Sequence, residues 1–278
     1  MIKPQHFILS PIALLVVSAG LSFKALPQST FLTPDISPVR AGSPKFILTT
    51  DKLNKPAPTP DISPKFTSLS AQQIDYFLEI AIGSEFGQSN SVVRKWQGEI
   101  RIQVLGNPTP EDIKTLLNVI NEVNFLAEGS IYLRFDEYNP NLKIYFVPEQ
   151  QFAQYESNYQ PVNYGFFWTY WNQNQVITRA NILISTEDVT QKERSHLIRE
   201  ELTQSLGLMR DSYRYENSIF YQGWTDVSEY SQMDKILIQT LYRPQIQPGM
   251  SREQVRQILR RLIPAQNPQQ RLTHPLRN

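Results

Sequence analysis

His196-Leu-Ile-Arg-Glu200-Glu201-Leu-Thr-Gln204-Ser-Leu-Gly207-Leu208 is the stretch that decides the fold, and it reads as one helix and its stop. Thr190-Gln-Lys-Glu193 just ahead of it has the Thr-x-x-Glu form of a capping box, in which the threonine side chain and the glutamate each satisfy a free amide of the first turn. Gly207 followed by Leu208 gives a left-handed stop with its hydrophobic contact. The spacing predicts a helix over 191–206. At about 100° per residue, Ile198, Leu202, Ser205 and Leu206 share one side, which should pack on a sheet, with Leu197 and Leu208 at its margin. His196, Glu200 and Gln204 form a stripe roughly opposite that side. Glu201 falls between stripe and core, so it is the carboxylate expected to be partly buried.

Working back toward the N-terminus, the chain alternates elements that could cover such a helix. Ser70-Ala-Gln-Gln73 is another capping box, and Ile74, Phe77, Leu78 and Ala81 follow at helical spacing, so a helix should run to about Gly83. From Glu99 to Leu105, Ile100, Ile102 and Val104 alternate with Arg101 and Gln103 between Gly98 and Gly106, which is the pattern of a half-buried strand. Asn107-Pro-Thr-Pro-Glu111 opens a helix carrying Ile113, Leu116, Leu117, Ile120 and Val123, with Gly129 as its stop. Strands are expected over Ile131–Phe135 and Leu142–Val147, then an antiparallel pair, Tyr164–Trp171 and Val176–Ser185, joined by Asn172-Gln-Asn-Gln175. The rings of Tyr159, Tyr164, Phe166, Phe167, Trp168, Tyr170 and Trp171 either pack along that strand or offer a carbohydrate or peptide platform. No basic residues interleave them locally, which argues for packing.

Beyond the central helix, Gly223-Trp-Thr-Asp226 should open a helix carrying Tyr230, Met233, Ile236, Leu237 and Leu241. Asp234 on it either approaches Glu201 or is solvated. Pro248-Gly-Met250 reads as a loop cap, and Ser251-Arg-Glu-Gln254 starts a last helix with Val255, Ile258, Leu259, Leu262 and Ile263 on one side and Arg252, Arg256 and Arg260 on the other.

The ends differ in composition. Residues 1–26 hold Lys3 and an apolar run from Phe7 to Phe23, the pattern of an export signal or an uncleaved N-terminal anchor. Residues 27–66 read as a proline-rich linker: eight of the 20 prolines lie between Pro27 and Pro64, and Thr-Pro-Asp-Ile-Ser-Pro occurs at Thr33–Pro38 and again at Thr59–Pro64. The folded domain is expected over 67–263 and a disordered tail over 264–278. The expected location is therefore outside the cytoplasmic membrane, in the periplasm or beyond, free or anchored through the N-terminal segment. With no cysteine, disulfides and thiolate catalysis are excluded. A net charge of +1 supplies no field for nucleic acid. The partners left are a peptide or a cell-envelope component, with membrane contact only through the N-terminal segment.

Glu200-Glu201-Leu-Thr-Gln204-Ser-Leu-Gly207 resembles the zincin helix of metallopeptidases, His-Glu-x-x-His followed by the x-x-Gly of metzincins, with both histidines replaced. Together with Asp211-Ser212 and Leu241-Tyr-Arg-Pro-Gln-Ile-Gln-Pro-Gly-Met250, it is similar to an uncharacterised family of bacterial exported domains of unknown function, over about Gly98 to Leu262. The zincin resemblance implies an α+β fold: a twisted mixed sheet, an active-site-type helix, and a smaller helical C-terminal part. It also implies that the strand Ala180–Ile184 is the edge strand leading into the helix. In that register Glu200 takes the first ligand position, Glu201 the catalytic glutamate and Gln204 the second ligand. The third metzincin position falls on Arg210, with Asp211 one residue late.

Chemistry constrains what such a site could hold. Zinc hydrolysis needs imidazole or thiolate ligands, an open water position and a nearby base. Glutamate and glutamine oxygens instead suit Mg, Ca or Mn. A second register pairs His196 with Glu200 as i, i+4 ligands, which puts Leu197 where a base belongs. The plain alternative for His196 is a solvated residue in contact with Glu200. The cofactor is thus a divalent ion or none. Two functions follow: a peptidase-like hydrolase with Glu201 as base and Glu200, Gln204, Asp211 and His196 as candidate ligands, or a catalytically silent envelope binding or scaffold domain that kept the cleft. A glycan-binding module using the aromatics of 164–171 is a third.

Overall fold

The computed structural model describes residues 69–82, 92–161 and 164–262. The export or anchor segment, the proline-rich linker with its two hexapeptides, Gly83, Ile263 and the tail lie outside the described residues. Each of the five described helices of ten or more residues starts with a reciprocal cap. These are α1 (Ala71–Ala81, Ser70 with Gln73), α2 (Pro110–Leu126, Thr109 with Asp112), α4 (Gln191–Gln204, Thr190 with Glu193), α5 (Gln232–Leu241, Ser231 with Asp234) and α6 (Arg252–Arg261, Ser251 with Gln254). An N-cap side chain of this kind contributes about 1 kcal/mol by satisfying amides that the helix itself cannot. A single turn of 3-10 helix, Glu149–Gln151, runs into the short α3, Phe152–Tyr155.

The strands are β1 (Lys95–Trp96), β2 (Gly98–Gly106), β3 (Ile131–Phe135), β4 (Leu142–Val147), β5 (Gly165–Trp171) and β6 (Val176–Ser185). In space β3, β2, β4 and β6 run parallel side by side, with Ile100 opposite Leu133, Val104 opposite Ile144, and Ile144 opposite Ile182. β5 is antiparallel on the far side of β6, and β1 pairs with the first residues of β6. The architecture is a mixed α/β fold built on this sheet. The expected edge strand is corrected: β6, which holds Ala180–Ile184, is interior, and β5 is the edge. The reason is pairing: β6 bonds to β4 along one side and to β5 along the other, so its backbone groups are satisfied within the sheet.

α2 and α4 pack against each other, α4 also lies on β5 and β6, and α2 on β3. Ile198, Leu202 and Leu206 are buried, as expected of the apolar side of a helix that lies on β5 and β6. Each such side chain contributes about 1.5–3 kcal/mol of transfer free energy. α1 packs on α5 and α6. Gly207, at φ +122, ends the region of α4 at a point where a Cβ would stand 2.1 Å from the carbonyl oxygen of Arg94, so only glycine allows the two backbones to meet.

Two expectations about the C-terminal part are corrected. The helix expected from Gly223 starts at Gln232, and residues 222–230 form an irregular strap. Asp234 is neither solvated nor held by Glu201. It is fully buried, takes the Ser218 hydroxyl at 2.5 Å and accepts from the amides of Ser231 and Ile219.

Candidate functional site

Ten of the fourteen residues of the central helix are buried, including two arginines, a histidine, a glutamate and a glutamine. A polar helix can be buried only where its side chains find partners, and they do. At its start, Arg194 Nε donates to Asp112 Oδ1 at 2.9 Å, and Asp112 also accepts from Gln191 and from the amide of Thr109, tying α4 to the cap of α2. At its end, the indole of Trp96 donates to the Ser205 carbonyl and the hydroxyl of Tyr242 to that of Leu206, both at 2.9 Å. These bonds satisfy carbonyls that have no partner within the helix.

The stripe opposite the sheet is covered by the strap. Lys192 pairs with Asp226 at 2.7 Å and Glu193 accepts from the indole of Trp224 at 3.2 Å. His196 Nδ1 donates to the Val227 carbonyl at 2.6 Å, and Arg199 Nε donates to the Ser228 carbonyl at 2.7 Å. Arg199 also pairs with Glu122 at 2.9 Å and lies over the ring of Tyr230, which exchanges a hydrogen bond with Thr203. His196 is therefore 5% exposed, not solvated, although its predicted contact with Glu200 is present.

His196 Nε2 stands 3.1 Å from Glu200 Oε2. The Val227 carbonyl can only accept, so Nδ1 carries a proton, and an ionised Glu200 beside Nε2 favours a second proton there, the charged form of the ring. Burial pulls its pKa down, but the hydrogen bond and charge of Glu200, with the Val227 carbonyl and Asp226 behind them, outweigh burial and hold it above the usual histidine value. One turn on, Gln204 Nε2 donates to Asp211 Oδ1 at 2.6 Å. Glu201 is 6% exposed, and its carboxylate lies against Gly165 at the head of β5: a Cβ on Gly165 would stand 2.4 Å from Glu201 Oε1 and 2.9 Å from a methyl of Leu197.

The fold therefore brings the sequence candidates together as two separate pairs, Glu200 with His196 and Gln204 with Asp211, with Glu201 turned to β5. Arg210, where the zincin resemblance would set a third ligand, is exposed. Among the described residues, no three His, Asp or Glu side chains gather into a group that could hold a metal ion. His196 engages Glu200 and, one turn on, Asp211 engages Gln204, so each of the four candidate ligands already has a protein partner. The sequence reading missed Gly165, Val227 and Ser228, and it set Tyr230 on a helix where the structure has it at the end of the strap against Thr203. The first could have been suspected as a glycine at a strand start. The carbonyls of Val227 and Ser228 carry no side-chain signature at all.

The family model described as "Protein of unknown function (DUF2927)" matches residues 70–261. No curated protein matches the chain. Among solved structures, one described as "Structure of Myroilysin" is 15% identical at a TM-score of 0.36, over 54% of this chain and 82% of that one. Another, "Crystal structure of myroilysin", is 13% identical at a TM-score of 0.36, over 63% of this chain and 98% of that one. These are weak likenesses. The family match covers most of the chain, and the chain belongs to DUF2927.

Proposed function

Starting from membership of DUF2927, we propose that this chain is an exported binding or scaffold domain of zincin-like lineage that has kept a peptidase-type cleft and replaced the metal by an internal cation. The observation that carries this reading is the position of the His196 ring between the Val227 carbonyl and Glu200, which favours its charged form. A dication draws its ligands to one centre. Here the residue at the first ligand position is drawn one turn back to a positively charged ring, and the residue at the second is drawn forward to Asp211. The charge a metal would supply to Glu200 is supplied by the protein.

What the cleft would bind follows from β5. Among the described strands it has a neighbour on one side only, and Glu201 stands at its first residue. An unpaired strand edge offers amides and carbonyls to an extended chain, so the proposed partner is a peptide segment of an envelope protein, added as a further strand. The N-terminal segment and proline-rich linker would place the domain at the outer side of the membrane.

Elemental analysis of the full chain, purified without chelator, and of Glu200→Ala tests the reading. The expected result is no stoichiometric metal in either protein, with both folded by circular dichroism. Near one metal per chain, lost in Glu200→Ala, would overturn it. That outcome would restore the hydrolase reading with Glu201 as base, for which Glu201→Gln should then abolish peptide cleavage without unfolding.

A further inference from the structure

The C-terminal end of α2 and the turn after α5 line a partly open cavity of about 370 Å³, and none of its lining residues belongs to the central helix. Its two walls are fixed to each other, because Ser130 Oγ donates to the Tyr242 carbonyl at 2.8 Å. Leu126, Tyr242 and Leu262 give it apolar lining, and Glu128, Gln239 and Arg243 line it with polar groups. Arg243 is 7% exposed and sits in a turn bonded on both sides, its amide to Thr240 and its carbonyl from Ile246. Glu128 follows the C-cap of α2 with φ at +48, the left-handed conformation in which helices commonly end.

These two charges share one neighbourhood. Burial pulls the pKa of Arg243 down, and the charge of Glu128 acts against that pull. A cavity with a cation and an anion on an apolar lining does not suit a simple anion, which Glu128 would repel, or a simple cation, which Arg243 would repel. We infer that it binds a small zwitterion, a free amino acid or dipeptide with an apolar side chain. Arg243 takes the carboxylate, Glu128 takes the ammonium, and Leu126, Tyr242 and Leu262 take the side chain. The guanidinium has five donors in a planar fork, so it serves a carboxylate beside the protein contact it already makes. The volume lies within the range of small-molecule sites.

Isothermal titration of the full chain with L-leucine, N-acetyl-L-leucine and L-leucine methyl ester tests this, with leucyl-leucine as the larger probe. Leucine or leucyl-leucine should bind saturably at one site. Blocking either charged end of leucine should weaken binding by about tenfold or more, the effect of removing one charge-assisted contact. Glu128→Gln should weaken leucine similarly and cease to discriminate against the N-acetyl form. Arg243→Gln should lose binding; if circular dichroism shows it unfolded, the exposed Glu128 and the blocked ligands carry the test. No saturable binding of leucine or leucyl-leucine, or equal binding of the free and blocked forms, would overturn the inference.

Discussion

The two long sides of the central helix are both buried, but by different physics. Toward the sheet, Ile198, Leu202 and Leu206 meet apolar neighbours and need only the right volume. Toward the strap, His196, Arg199 and Thr203 meet carbonyls, a carboxylate and a phenol, and need direction. Apolar contact is non-directional and insensitive to pH, whereas the polar side is held by groups whose charge can change. The comparison teaches that a helix rich in polar side chains can be buried on both sides when main-chain carbonyls of its own chain meet the polar one.

The largest expected effect tests the apolar side. Leu202, fully buried, should cost about 2–5 kcal/mol when cut to alanine, through lost transfer energy and the cavity left behind. Urea unfolding at pH 6 and pH 8 should give the same loss at both, since nothing titratable is removed. A loss that changed between the two would break the contrast.

An intermediate effect is expected where the two sides meet. Gly165→Ala should destabilise by about 1–3 kcal/mol, because the new methyl would press on the Glu201 carboxylate. Glu201→Ala in the same chain should recover most of that loss if the carboxylate is what the methyl meets. Additive losses in the double variant would show that the strain lies in the backbone of β5 instead.

The smallest effect belongs to the strap side and has a definite sign. The folded pKa of His196 is raised, so its contribution is fully present below the unfolded histidine value of about 6.5 and is lost as pH rises through the folded value. Wild type compared with His196→Asn by urea unfolding from pH 5.5 to 8.5 should show an advantage that shrinks toward high pH. A difference that stays flat would mean that the folded protein does not raise the pKa of the ring.

Much of this fold is legible in the residues, for identifiable reasons. β3, β4 and β6 have the predicted limits because each is an apolar run closed by turn residues. α1, α4 and α6 start where expected because their boxes carry glutamate or glutamine at the third helical position. α5 was expected too early because its box closes with aspartate, Asp234, which reaches back to the Ser231 amide just as well but lacks the usual signature. The edge strand was misplaced because β5 and β6 are both apolar, and neighbours, not composition, make an edge. The rings of 164–171 lack local basic residues, yet pairing sets Arg179 opposite Tyr170, with its guanidinium 3.8 Å from the ring. At the candidate site the pairing of His196 with Glu200 follows from helical spacing. The strap that buries them does not, since Val227 and Ser228 act through their backbones.

The repeated caps have a consequence for the order in which the chain folds. Each closes over three residues, so five helix starts can form on the time scale of local helix formation, without waiting for distant contacts. The parallel pairs of the sheet must instead close loops that contain whole helices, which is slow. The rate-limiting step should then be strand assembly. The strap, which bonds to α4 from about 30 residues away along the chain, would be among the last parts to lock.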